Sequence, residues 1–139
     1  MANICTFLET ALLNHVMRNT EYVRPAVVYA ALIDDTAVDV DVEAGDLTDE
    51  IDGYNEANRP ACTFGTAPAQ VLGKATIYNT AAVTFTVMPA VTTKYLLIMD
   101  GNTKGAGNAL YWCPLSPERA TLAGDTLTFP IGDIAIDLD

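Results

Sequence analysis

A chain of 139 residues, half of them hydrophobic (50%), is most simply one domain, residues 1–139, with one core. Seven cations against eighteen acids give a net charge of −11 and no footprint for phosphate contacts, which argues against nucleic acid and anionic membranes as partners. A mean hydropathy of +0.22 is high for a small monomer, and burial against other chains is the simplest explanation.

The opening Met-Ala-Asn-Ile-Cys-Thr has no basic region and no signal-type apolar run. Apolar stretches such as Tyr95–Met99 fall far short of a membrane span, so the expectation is a product kept soluble inside a cell. Cys5, Cys62 and Cys113 are odd in number and widely spaced. They suit unbridged, mostly buried thiols better than a disulfide framework or a zinc site, and no cofactor is implied.

Residues 6–18 read as the one convincing helix. Thr6 and Glu9 make a capping-box pattern at its start. Ile4, Phe7, Leu8, Ala11, Leu12 and Val16 recur at three- and four-residue intervals as an apolar stripe. Arg18 meets the negative end of the dipole, and Asn19 suits a left-handed cap. The stripe either lids a sheet or, in part, meets a neighbouring subunit, with Phe7, Leu8 and Leu12 as the candidate contacts.

Ala26–Ile33 is apolar throughout, the pattern of a strand buried on both faces. Ten of the eighteen acids then fall between Asp34 and Glu56, a segment without a periodic core signal. It reads as a surface excursion, 34–56, with a short ribbon at Val38–Val42. Short β-like runs follow at Cys62–Phe64, Ala75–Tyr78, Val83–Val87 and Lys94–Met99, punctuated by Pro60, Pro68, Gly73, Asn79 and Pro89. Asp100–Asn108 is turn chemistry that joins Lys94–Met99 to Ala109–Leu115 as a hairpin, and Glu118–Gly124 makes the next turn.

At the C-terminal end, Leu127, Phe129 and Ile131 alternate on odd positions, and Ile134, Ile136 and Leu138 on even ones. The phase slips at Pro130-Ile131-Gly132, so a bulge, bend or sheet change there would bring both sets to the core. One helix followed by about eight short strands, spaced for an antiparallel sandwich or barrel, gives a mainly β fold class.

Little here promises chemistry. Asp39, Asp41, Glu43 and Glu50 occupy positions 1, 3, 5 and 12 of a calcium-loop register, but Ala44 stands where the turn glycine belongs. Alternation of the acids with Val38, Val40 and Val42 is equally a half-exposed strand. His15 is the only histidine, placed to serve a helix end, and no nucleophile pattern accompanies it. Tyr111-Trp112 is either a sugar-stacking or interface pair, or a Trp half-buried on a strand.

Phe7-Leu-Glu-Thr-Ala-Leu-Leu-Asn-His-Val-Met-Arg18, followed by Thr20, Tyr22, Pro25 and Tyr29-Ala-Ala-Leu32, resembles the opening of a family of tailed-bacteriophage virion proteins. Many of its members are labelled tail fibre proteins, and some are capsid decoration (cement) proteins. Ile51-Asp-Gly-Tyr54, Thr63-Phe-Gly65 and Asn79-Thr-Ala-Ala-Val-Thr-Phe85 are similar to its middle. Leu97-Ile-Met-Asp100, Asn108-Ala-Leu-Tyr111 and Ala123-Gly-Asp-Thr-Leu-Thr-Phe129 are similar to its closing segments. Two departures stand out: Asp34–Glu56 is acidic where relatives are rich in Gly and Thr, and Ala90–Thr93 lacks the usual Trp.

The resemblance implies a single antiparallel β-sandwich, jelly-roll or Ig-like, with one N-terminal α-helix. It implies a non-enzymatic virion subunit made in the host bacterial cytoplasm. A decoration protein on the outer head surface would bind the major capsid protein and itself, as a homotrimer. The other expectation is a tail-fibre or tail-tip subunit, with Tyr111 and Trp112 available for contact.

Overall fold

A computed structural model describes residues 3–65, 69–71 and 74–138. The chain builds β1 (Asn3–Ile4), α1 (Thr6–Arg18), β2 (Val28–Asp34), α2 (Asp39–Ala44), β3 (Ala61–Cys62), β4 (Ala69–Val71), β5 (Lys74–Tyr78), β6 (Val83–Met88), β7 (Val91–Met99), β8 (Ala109–Thr121), β9 (Asp125–Phe129) and β10 (Ala135–Leu138). It is mainly β and sandwich-like, with antiparallel pairing and one main helix. Pro68 and Gly73 of the expected punctuation lie outside the described residues.

The central layer is a five-stranded sheet ordered β1-β8-β7-β2-β3. Successive side chains along its strands go to opposite faces. Ala30, Leu32, Leu96 and Ile98 pack with Phe85, Met88, Phe129 and Ile136 from the small sheets β6-β9 and β10-β5-β4, and with Ile134 just before β10. Ala31, Ile33, Tyr95, Leu97 and Trp112 pack on the other side with Cys5 and Val42 from the helical layer. A strand covered on both faces has no polar side to show, which accounts for the buried run 30–33, whereas Ala26 and Val27 of the expected strand lie before β2 and are exposed.

Helix α1 has the expected bounds, and Asn19 closes it in the left-handed conformation (φ 53, ψ 34). Its start differs from the capping-box expectation: the N-cap is Cys5, without a side-chain cap bond, and Thr6 is already helical. The stripe is also only partly buried, since Leu8 is enclosed while Val16 faces water.

The acidic segment is better tied down than an excursion. Val38–Val42 is no ribbon: residues 39–44 coil into α2, whose Val42 enters the core, and Gly45 ends it at φ +83. Ile51 and Tyr54 enter the other core, and Glu50 bridges to Ile33. Alternating valines mimic a strand, but only Val42 finds a core to enter.

The hairpin across 100–108 stands as expected, and β8 then runs on to Thr121, through most of the turn expected at 118–124. β1 covers β8 only at Tyr111 and Trp112. Beyond that point Pro114, Pro117, Glu118 and Arg119 discourage a further strand from adding to the edge.

The phase slip near the C-terminus is a change of sheet. β9 pairs with β6, and β10 pairs with β5. Asn79 is buried at the join: its amide donates to Ala81 O and Pro130 O, and its side-chain oxygen accepts from the Ile134 N–H. Gly132 turns the chain at φ +83, where a side chain would be strained. Phe129, Ile134 and Ile136 are buried, but Ile131 is exposed at the bend rather than in the core.

Candidate interaction surface

Helix α1 is apolar on more than one side. Leu8 faces inward, and Ala11 and Leu12 are partly covered. On the outward side Leu13, Val16 and Met17 are 65%, 74% and 74% exposed, one stripe by their three- and four-residue spacing. Glu9 stands four residues before Leu13 on the same flank. The helix thus carries one apolar row toward the sheet and a second toward solvent, and the protomer covers only the first. Enclosing each of these side chains on assembly is worth on the order of 1.5–3 kcal/mol.

Of the five candidate contacts, Phe7 remains exposed at 39%, Leu12 and Tyr111 are partly buried, and Leu8 and Trp112 are enclosed within the protomer. Tyr111 and Trp112 do not form one aromatic surface. Trp112 packs edge-on to Tyr95 at 5.8 Å in the helical layer, whereas Tyr111 joins the opposite cluster. Adjacent strand residues point apart, so the alternation of β8 already carried that signal. The outward row was harder to see, because a helix apolar on several sides has no single phase.

A second apolar feature lies on the other side of the central sheet. A cleft of about 460 Å³ opens between β2, β7 and β8 on one wall and β5 and β10 on the other. Val28, Phe64, Ala75, Ile77 and Ile136 line it, with Arg24 among the lining residues.

The charges are distributed unevenly. Residues 3–33 contain Glu9, Glu21, Arg18 and Arg24, which cancel. The other sixteen acids and five cations carry the whole −11. The acidic α2 packs beside α1, close enough for Glu43 to act on the Cys5 thiol, so the neutrality belongs to residues 3–33 and not to the whole surface around the helix.

The acidic register does not converge on a cation. Asp39 accepts a hydrogen bond from the Tyr95 hydroxyl, and Glu50 is engaged by Arg59 through Nε and Nη2, both at 2.7 Å. Among the described residues no group of three or more His, Cys, Asp or Glu is placed to hold a metal ion. Asp100 accepts from the Asn108 N–H and side-chain amide, closing the hairpin loop.

The nucleophile candidates are similarly occupied. His15 Nδ1 lies 3.2 Å from both Thr20 O and the Tyr22 N, tying down the chain that leaves α1. Burial pushes the Cys5 thiol up to about 12, with Glu43 and Glu9 adding to it, and pushes Cys62 up to about 11. Thiols so raised carry almost no thiolate near neutrality. No disulfide joins the three cysteines.

A family model described as Podophage GP4 fiber I protein gp80 matches residues 3–137 of the chain. No curated protein matches it. Among the described residues no helix is long and apolar enough to cross a membrane.

Proposed function

The chain belongs to the Podophage GP4 fiber I protein gp80 family, a family of phage virion structural proteins, and on that footing we propose that it is a non-enzymatic virion subunit acting through its surfaces. The observation that carries this is the outward row of α1, apolar and uncovered in the protomer. The engaged histidine, raised thiols and paired acids support a role without covalent or acid–base chemistry.

The family's description names a fibre protein and so supports a fibre subunit, for which host attachment is the role we propose. The second reading is capsid decoration on the outer head surface, where a homotrimer would bind the major capsid protein across neighbouring capsomers. The layered build supports it: the described strands form stacked sheets around two adjoining cores, a block-like subunit suited to lying on a surface. Binding only to the assembled head would stabilise that state by mass action, and the acids exposed along 35–46 would keep particles dispersed.

Quantitative mass spectrometry of purified virions, scaled to the major capsid protein, separates the two. A handful of copies per particle is the fibre result, and hundreds are the decoration result. Absence from washed virions would remove both.

A further inference from the structure

The molecule carries an apolar ridge on one side of its central sheet and an apolar hole on the other. We propose that copies of this chain dock head to tail, the outward row of α1 on one copy seating in the cleft between the sheets of the next. The inference rests on reading the chain as a repeating virion subunit.

Size is the first argument. A cavity of about 150 Å³ takes one benzene-sized group. The cleft of about 460 Å³ is open to solvent and larger than that, so it has room for apolar side chains such as Leu13, Val16 and Met17. Met17 is unbranched and adapts to an irregular hole.

Charge is the second argument. Glu9 flanks the ridge, and Arg24 lies among the residues lining the hole. Among the described residues the one ion pair is Arg59–Glu50, so Glu9 and Arg24 are uncommitted within the protomer. Docking brings opposite charges together beside the buried apolar groups. The contact must also overcome the acids of α2 beside α1 and the net charge of −11, which makes the Glu9–Arg24 attraction the favourable charge contribution.

Topology fixes the outcome. Helix α1 follows its N-cap Cys5, which belongs to the cluster with Tyr95, Leu97 and Trp112, whereas the hole opens beside Ile98 and Tyr111 on the opposite face. A contact between two different surfaces is heterologous, and its repetition closes a ring or extends a file. Pairing of α1 with α1 would instead stop at two copies and leave the hole empty.

The test uses two variants of the full chain in sedimentation velocity. Leu13→Glu with Met17→Glu removes the ridge, and Ala75→Trp fills the hole. Wild type should grow beyond dimer as concentration rises through the micromolar range, and each variant alone should be monomeric. An equal mixture of the two should form a species of twice the monomer mass and nothing larger, because one ridge and one hole remain. A monomeric wild type, an Ala75→Trp protein that still assembles, or a mixture that stays monomeric overturns the proposal.

If Ala75→Trp does not fold, Leu13→benzoylphenylalanine in the otherwise wild-type chain gives the answer by photocrosslinking. Crosslinks to peptides carrying Val28, Phe64 or Ile77 of another copy support docking. Crosslinks to α1 of another copy, or none between copies, overturn it. These assays use the purified chain, so this proposal can fail while the copy-number result for the virion stands, and the reverse.

Discussion

Glu50 accepts two hydrogen bonds from Arg59, with the two side chains 2% and 0% exposed, far from the surface pairs that contribute little. Arg59 also donates to Gly101 O and Ala106 O, and Glu50 accepts from the Gly105 N–H. The pair therefore locks the acidic segment to the 100–108 hairpin loop. Removing one partner strands a buried charge, so Glu50→Gln should cost about 3–5 kcal/mol in chemical denaturation. A loss below about 1 kcal/mol would mean that the pair is solvated. Val87 shows the opposite case: a β-branched, exposed residue at φ +50 in the bulge between Phe85 and Met88. Val87→Asn should gain about 1 kcal/mol, read as a raised denaturation midpoint, because Asn tolerates the left-handed region. Neither effect was legible in the sequence, where Arg59 has no helical or strand spacing to Glu50 and Val87 reads as an ordinary strand residue.

At the scale of elements, the β6 bulge is held by Glu56, whose carboxylate accepts from the Thr86 hydroxyl at 2.6 Å and the Thr86 N–H at 3.0 Å. Burial works against the charged carboxylate, but the Thr86 donors outweigh it and hold its pKa below the ordinary Glu value. A depressed folded pKa gives stability that is present above the unfolded value of about 4.3 and lost as pH falls through the folded one. Wild type should therefore exceed Glu56→Gln in melting temperature at pH 7, with the gap closing below about pH 4. A gap that persists unchanged into acid would assign the role to shape rather than charge.

Helix α1 was legible to the residue, because Arg18 and Asn19 mark its end and three- and four-residue spacing fills its length. Helix α2 was not, since valines at 38, 40 and 42 imitate a strand over the few residues involved. The sheet change at the C-terminal end was legible as a phase slip, but its anchor, Asn79, lies 55 residues away from Ile134 in sequence. Truncation after Pro130 removes β10 and the buried Ile134 and Ile136, and strips Asn79 of its Ile134 partner. Loss of the cooperative thermal transition is expected. A shortened chain that melts like wild type would show that the last strand is dispensable.

For the whole molecule, the central sheet has a helical layer on one face and two small sheets on the other. That arrangement builds two cores, leaves an apolar cleft between the sheets and leaves the outward side of α1 uncovered. The composition had signalled this surplus, since a mean hydropathy of +0.22 beside a charge of −11 is hard to reconcile with a solitary soluble domain. It could not say where the surplus lay. The outward row of α1 and the cleft between the sheets are the apolar features suited to assembly, whereas the acids along 35–46 face water.

The claim that α1 is an assembly surface is tested most directly by oxidative footprinting of Met17 in intact virions against dilute isolated chain. Met17 is 74% exposed in the protomer, whereas Met88 and Met99 are buried and serve as internal references. The account predicts fast sulfoxide formation at Met17 in the isolated chain and strong protection in the virion, with Met88 and Met99 slow in both. Equal oxidation of Met17 in the two states would contradict it.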